Sequence, residues 1–263
     1  MLGEARLIDI GGRTLYGRVS GTGPAVVLNS GGGREGVGTW NPVETRLSEF
    51  ATVVTYDRAG LGHSSPIAEP PTALDMAADL AKLLDVLAVP RPFVLVGTSL
   101  SGLLVQLYAC QHPEDVSGLL LLDPTPDEFL AGFAALPPAV QESMRTAAVE
   151  NARKTGASEA TVWETRTIFE SCEQVRRAVV EEKRIPNIEC IVVTACRPMQ
   201  LLGKATGGAT AGSNLRDAHR RMAERISRGR HLLAGRSSHA TIISDDADLI
   251  VETIRSLLSQ DMS

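Results

Sequence analysis

Along this chain, short continuous apolar runs alternate with longer stretches in which apolar residues recur every three or four positions. The runs Ala25-Val26-Val27-Leu28, Thr52-Val53-Val54-Thr55-Tyr56, Phe93-Val94-Leu95-Val96 and Gly118-Leu119-Leu120-Leu121-Leu122 show no polar alternation. They predict strands covered on both faces. Between them, residues 43–50 and 72–87 have a helical period; in the second, Leu74, Ala77, Ala78, Leu80, Ala81 and Leu84 make one stripe. Residues 6–10 and 14–19, parted by Gly11-Gly12, read as a hairpin. Strands separated by helices require right-handed crossovers, which gives an α/β fold: a mostly parallel, eight-stranded sheet with helices on both faces.

The alternation stops from Pro124 to about Pro186. Two or three helices are expected there, one near 137–154 and another near 158–184 that carries Trp163, Ile168 and Phe169. Strand logic resumes at Ile188-Glu189-Cys190-Ile191-Val192-Val193-Thr194. Residues 1–123 and 187–263 are therefore read as the core domain, and 124–186 as a helical cap inserted over the carboxyl edge of the sheet. A peripheral helical pair is the alternative. A glycine-rich loop is expected over 203–213, then a helix from Leu215 through Ala218 and Met222 to Ile226. His231-Leu232-Leu233-Ala234 reads as the last strand, and 247–258 as a closing amphipathic helix.

A chain of 263 residues and 28.0 kDa can bury a large core. The net charge of −5 carries no sign of a nucleic-acid partner, and the arginines between 216 and 236 are read as a solvated face. No apolar run reaches the roughly 18 residues of a membrane span. The start, Met1-Leu2-Gly3-Glu4-Ala5-Arg6, lacks the build of a signal peptide. Cys110, Cys172, Cys190 and Cys196 show no C-x-x-C spacing, and reduced thiols in a cytoplasmic protein are the expectation. A monomer or homodimer acting on a small molecule, with no cofactor, metal, nucleic acid or membrane, fits this composition.

The chemistry begins at Gly97-Thr98-Ser99-Leu100-Ser101-Gly102, between an apolar strand and a predicted helix. A sharp turn there lifts the Ser99 side chain above the sheet beside the positive end of the helix dipole. The bland alternative is a serine that caps a core helix. A serine hydroxyl needs a base. Of the five histidines, His112 is read as a helix-end residue, His219 as exposed on an arginine-rich helix, His63 as a loop residue and His231 as the start of a strand. His239, in Ser237-Ser238-His239-Ala240, follows the last strand and so opens at the same carboxyl edge as the serine. It is the candidate base. In Asn29-Ser30-Gly31-Gly32-Gly33 the backbone can approach a substrate closely, so Gly32, with Leu100 at the helix start, is a candidate oxyanion donor. The loop lacks the lysine and Ser/Thr of a P-loop.

This layout resembles the α/β-hydrolase fold family over nearly the whole chain. Residues 25–33 look like its third strand and oxyanion loop, with Ser30-Gly31 where His-Gly is usual. Asp57-Arg58-Ala59-Gly60-Leu61-Gly62-His63-Ser64 is similar to its D-x-R-G-x-G-x-S loop, with Ala59 in place of glycine, and Ser101 stands at the last glycine of G-x-S-x-G. Tyr108-Ala109-Cys110-Gln111-His112-Pro113 is similar to the usual end of the elbow helix. From Thr194 through Arg216, where many members carry the acid, there is no Asp or Glu. Asp123, ending the previous strand 24 residues after Ser99, matches the variant placement of haloalkane dehalogenases and zearalenone-type lactonases. Asp127, Glu128 and Asp217 are the other candidates, and a turn-capping role is the alternative for Asp123.

The resemblance implies a serine hydrolase of ester or lactone bonds working through an acyl-enzyme, with Ser99, His239 and Asp123 as its triad. A serine at the elbow argues against dehalogenase and epoxide-hydrolase chemistry, which in this family resembles an aspartate there. Carbon–carbon bond hydrolysis on the same triad and a ligand-binding receptor of the same fold stay open. Trp163, Phe133 and Phe129, with Phe169, are an unusual share of a chain with only 4% aromatics, and are the candidate substrate-pocket wall. Their alternative is the cap's own small core.

Overall fold

The computed structural model describes residues 2–154, 156–181, 185–197 and 208–260. The hairpin strands β1 (Arg6–Asp9) and β2 (Thr14–Ser20) join antiparallel to a parallel set: β3 (Ala25–Asn29), β4 (Thr52–Tyr56), β5 (Phe93–Thr98), β6 (Val116–Leu122), β7 (Glu189–Ala195) and β8 (Arg228–Ala234). The eight strands lie in the order β1-β2-β4-β3-β5-β6-β7-β8. Because side chains alternate across a strand, the apolar runs feed two cores at once. Val27, Val54, Leu95, Leu119, Leu121 and Val192 face one side, with α2 (Ala73–Val86), α3 (Ser101–Gln111) and α7 (Gly208–Arg225) packed against them. Val26, Leu28, Val94, Val96, Leu120 and Ile191 face the other, covered by α1 (Asn41–Leu47), α8 (Ile242–Asp245) and α9 (Ala247–Gln260). Each fully buried Val or Leu contributes about 1.5–3 kcal/mol, so these two layers are what hold the sheet's carboxyl edge rigid.

Local signals agree with these elements. α2 opens on a reciprocal capping box, with Thr72 accepting from Asp75 N–H and the Asp75 carboxylate accepting from Thr72 N–H. α3 is buried on all sides through its first nine residues, because its outer face packs Leu103, Leu104 and Leu107 against α2 and Val175. Between β6 and β7 come α4 (Asp127–Ala134), α5 (Pro138–Lys154), α6 (Glu159–Arg176) and a π-helical turn over Arg177–Glu181. α6 packs on α2, α3, α4 and α5.

The expected loop over 203–213 is corrected in part. Residues 208–213 form the first turns of α7, while 203–207 lie outside the described residues. Glycine and serine suggested a loop, but Ala209 and Ala211 favour helix and the docked second half of α7 propagates it. Among the described residues no helix is long and apolar enough to cross a membrane. Since β3, β5, β6, β7 and β8 run parallel, their carboxyl ends bring Gly31, Ser99, Asp123, Cys196 and His239 to one edge.

Candidate active site

At the end of β5 the backbone of Ser99 takes φ +53°, in the left-handed region, and α3 starts two residues later. The turn is closed by Ser99 N–H to Leu122 O at 3.1 Å and Gly102 N–H to Ser99 O at 3.1 Å. There is no room for side chains on either flank. A Cβ at Gly97 would lie 2.5 Å from Ser101 O, and one at Gly102 would lie 2.7 Å from Pro124 Cβ. Ser101, the departure from the family's glycine, is buried and used. Its hydroxyl accepts from Thr98 N–H at 2.9 Å and donates to Asn29 O at 2.7 Å, so it ties the elbow to β3.

β6 ends in the same manner, with Asp123 at φ +45°. Its N–H donates to Val193 O (2.7 Å), and Ala195 N–H donates to its Oδ1 (3.0 Å), both on the neighbouring strand β7. The second carboxylate oxygen, Oδ2, lies 2.7 Å from His239 Nδ1, and His239 Nε2 lies 3.1 Å from Ser99 Oγ. A carboxylate only accepts, so Nδ1 carries the proton, and Nε2 offers its lone pair to the Ser99 hydroxyl. Asp123 is 3% exposed while its imidazole partner is partly exposed. The other acids do not reach this chain of bonds. Glu128 is drawn into pairs with Arg221 and Arg225; its hydrogen bonds to Arg221 hold its carboxyl below the usual range. Asp217 faces Arg220 at 3.8 Å, and the Asp127 side chain lies outside the described residues.

Gly31 sits against the elbow: a Cβ there would be 3.4 Å from Ser99 Cβ. Arg34 N–H donates to Gly31 O and Gly33 N–H to Glu164 Oε2. Among the described residues, nothing accepts from the N–H groups of Gly32 or Leu100, the two sequence-predicted oxyanion donors. Two free backbone donors beside a hydroxyl–imidazole–carboxylate chain can stabilise negative charge developing on a carbonyl oxygen.

His219 corrects a sequence reading. Instead of being exposed it is fully buried, with Nε2 2.7 Å from Pro124 O and Nδ1 2.8 Å from Thr194 Oγ1. The Pro124 carbonyl fixes Nε2 as the protonated nitrogen, so Nδ1 accepts from Thr194, whose oxygen is in turn 2.8 Å from His231 Nε2. Nδ1 stands 3.8 Å from Asp123 Oδ1, beyond a hydrogen bond. Burial lowers the His219 pKa despite the Pro124 carbonyl and Asp123. The signal was present in the sequence: Leu215, Ala218, His219, Met222 and Ile226 fall on one helical stripe.

Of the proposed pocket wall, Trp163 on α6 is partly buried. Phe133 is 5% exposed with the Arg145 guanidinium 5.3 Å from its ring centre. The side chains of Phe129 and Phe169 lie outside the described residues. The basic stretch is paired rather than free: Arg220, Arg221, Arg225, Arg230 and Arg236 each face a carboxylate. Among the described residues no group of three His, Cys, Asp or Glu is placed to hold a metal ion.

The sequence profile of the alpha/beta hydrolase fold matches residues 24–179. This chain belongs to the alpha/beta hydrolase fold family. Within curated proteins it is similar to the probable transporter efuK of Hormonema carpetanum, 37% identical over 126 residues that cover 44% of this chain and 18% of that protein. It is similar also to a fluoroacetate dehalogenase of Burkholderia sp, 36% identical over 128 residues, covering 47% of this chain and 41% of the relative. The matched region thus spans less than half of either relative's length. A thermophilic esterase from Thermogutta terrifontis has the same fold, with a TM-score of 0.69 at 18% identity over 98% of both chains. The family match contains Ser99 and Asp123; His239 lies beyond it.

Proposed function

We propose that this alpha/beta hydrolase cleaves a carboxylic ester or lactone of a small, mainly hydrophobic substrate through an acyl-enzyme on Ser99. The observation that carries the reading is the unbroken hydrogen-bond chain Ser99 Oγ–His239 Nε2–His239 Nδ1–Asp123 Oδ2. The N–H groups of Gly32 and Leu100, which have no acceptor among the described residues, support it further.

In this reading Ser99 Oγ attacks the substrate carbonyl while its proton passes to His239 Nε2. Asp123 holds the imidazole in the Nδ1–H tautomer and stabilises the imidazolium that forms. The carbonyl oxygen becomes an oxyanion and takes the Gly32 and Leu100 N–H groups. Collapse of the tetrahedral adduct breaks the C–O bond, and His239 returns its proton to the leaving alkoxide. Water, deprotonated by the same imidazole, then releases the acid and restores Ser99. The segment 124–186 acts as a cap, with the partly exposed Trp163 as its substrate-facing aromatic. Serine at the elbow is the reason to prefer acyl transfer over the dehalogenase activity named for the Burkholderia relative.

An activated phosphonate ester followed by peptide mapping tests the assignment. Label is expected on Ser99 alone, with turnover of p-nitrophenyl esters or simple lactones lost in parallel. Label on Ser101 or Ser64, or active protein that takes none, rejects it. Tight binding of lactones without turnover would instead mark a ligand-binding receptor of this fold.

A further inference from the structure

We propose that Glu164, on helix α6 of the inserted segment, is a positioning residue that sets the direction of the Gly32 oxyanion donor; this rests on the hydrolase reading above. Glu164 and Arg58 form a buried fork, with Arg58 Nε 2.7 Å from Oε1 and Nη2 2.9 Å from Oε2. They are 1% and 6% exposed. Two further Arg58 donors go to the loop beside Ser99: Nη1 to Ser30 O at 2.6 Å and Nη2 to Gly31 O at 2.8 Å. Glu164 closes the other end by accepting Gly33 N–H at 2.5 Å.

The consequence is a division of labour within four consecutive residues. The carbonyls of Ser30 and Gly31 are drawn to Arg58, and the N–H of Gly33 is consumed by Glu164. The Gly32 N–H is left between them with no partner among the described residues. Gly33 has φ +66° and is gripped by α6 on its other side as well. Thr161 Oγ1 donates to Gly33 O, and a Cβ at position 33 would lie 2.3 Å from Thr161 Cγ2. Burial alone would lower the Arg58 pKa, but the Glu164 carboxylate, together with Tyr56 and Asp57, raises it above its ordinary value, so the guanidinium stays charged. Bidentate charge-assisted bonds in a low-dielectric interior fix direction as well as distance. Direction is what an oxyanion donor requires. Because Glu164 belongs to the insertion, the hole is complete only while α6 is docked on the core.

The test uses the full chain as wild type, Glu164→Gln, Glu164→Asp and Ser99→Ala, each checked for folding by circular dichroism. Turnover of p-nitrophenyl butyrate and inhibition by phenylboronic acid, whose tetrahedral adduct places an oxygen in the hole, are measured for each. Glu164→Gln removes the charge partner of Arg58 and sets an NH2 donor against either Arg58 or the Gly33 N–H. Its kcat is expected to fall by about 10²-fold, the scale of losing one oxyanion donor, with boronate affinity weakening alongside. KM should move by less than about threefold, since ground-state binding is not the target. Glu164→Asp keeps the charge but shortens the reach to Gly33, and should lose about tenfold in kcat. If Glu164→Gln does not fold, Glu164→Asp decides on the same readouts. A folded variant with wild-type kcat and boronate affinity overturns the proposal, as does a loss confined to KM. If Ser99→Ala retains turnover, the hydrolase reading fails and takes the proposal with it. A dead Ser99→Ala beside a fully active Glu164 variant rejects the proposal alone.

Discussion

Asp123 has one carboxylate oxygen committed to Ala195 N–H and the other to His239 Nδ1, which leaves no slack in the imidazole's orientation. Asp123→Asn should preserve the fold, because an amide can still accept from Ala195, yet present a donor or a mis-set tautomer to His239. The expected loss in kcat is about 10⁴-fold with far less change in KM. Asp217→Asn and Glu128→Gln, on exposed side chains paired with arginines, should each cost less than about tenfold. Steady-state kinetics of the three variants on one activated ester checks this; a near-wild-type Asp123→Asn would move the acid elsewhere. The pairing of Asp123 with His239 was expected from the sequence through the resemblance, because the stretch after β7, where many members of the family carry the acid, holds no Asp or Glu. The use of Ser101 as a cross-link to Asn29 O was not, since its partner lies 72 residues away and only the folded register brings the two together.

Among the elements, the central strands and α2, α3 and α9 follow from periodicity, because the sheet is covered on both faces and the middle positions of the central strands form continuous apolar runs. The helices between β6 and β7 are harder. α5 has no buried residue among its described side chains, so its sequence announces length but not what it packs against. α6 is docked through buried Val162 and Val175 and also through Glu164 and Thr161, polar residues that carry no periodic signal, and the Arg58–Glu164 fork spans 106 residues. The two described aromatics of this segment now separate. Phe133 is enclosed with Arg145 across its ring, as a packing residue would be, whereas Trp163 is partly open. Trp163→Leu is therefore expected to reorder preferences among acyl chain lengths. Phe133→Leu should lower stability by about 1 kcal/mol or more and scale all substrates by a similar factor. A panel of esters and lactones measured with both variants distinguishes these; uniform losses in Trp163→Leu would place it in packing too.

For the whole molecule, the buried histidine chain adds a pH dependence that composition does not reveal. His219 and His231 both have pKa values lowered from 6.5, chiefly by burial. The unfolded chain therefore binds protons near pH 6.5 that the native one refuses, and stability rises with pH through that window. The contribution is complete above about pH 7 and is lost as pH falls through 6.5 toward the lowered native values. Melting temperature should be nearly flat above neutrality and drop below pH 6.5. His219→Gln, whose amide can still donate to Pro124 O, should flatten that drop. An unchanged slope in the variant would assign the acid sensitivity to other groups. The overall architecture was readable because strand and helix alternate so regularly. The burial of His219 was readable only from its place on the apolar stripe of α7, against the arginines around it, and its bonds to Pro124 O and Thr194 were not, because those partners come from the ends of distant strands.

The left-handed backbone at both Ser99 and Asp123 implies a trade between heat resistance and activity. A non-glycine residue in that region costs about 1–2 kcal/mol. Two adjacent strands carry that cost at the very residues that meet at His239. Glycine would remove the cost at position 99 while returning about 0.5–1 kcal/mol to the unfolded chain as freedom. Ser99→Gly should thus melt later than Ser99→Ala, which keeps the unfavourable φ, by about 2–4 °C for each kcal/mol recovered. Both variants are expected to be inactive, so the comparison isolates the backbone. Calorimetry that finds the alanine variant the more stable of the two would mean that the surrounding turn, not the residue, accommodates the conformation. Otherwise, screening this protein for thermal tolerance alone would favour its dead forms, and any selection for robustness has to be coupled to turnover.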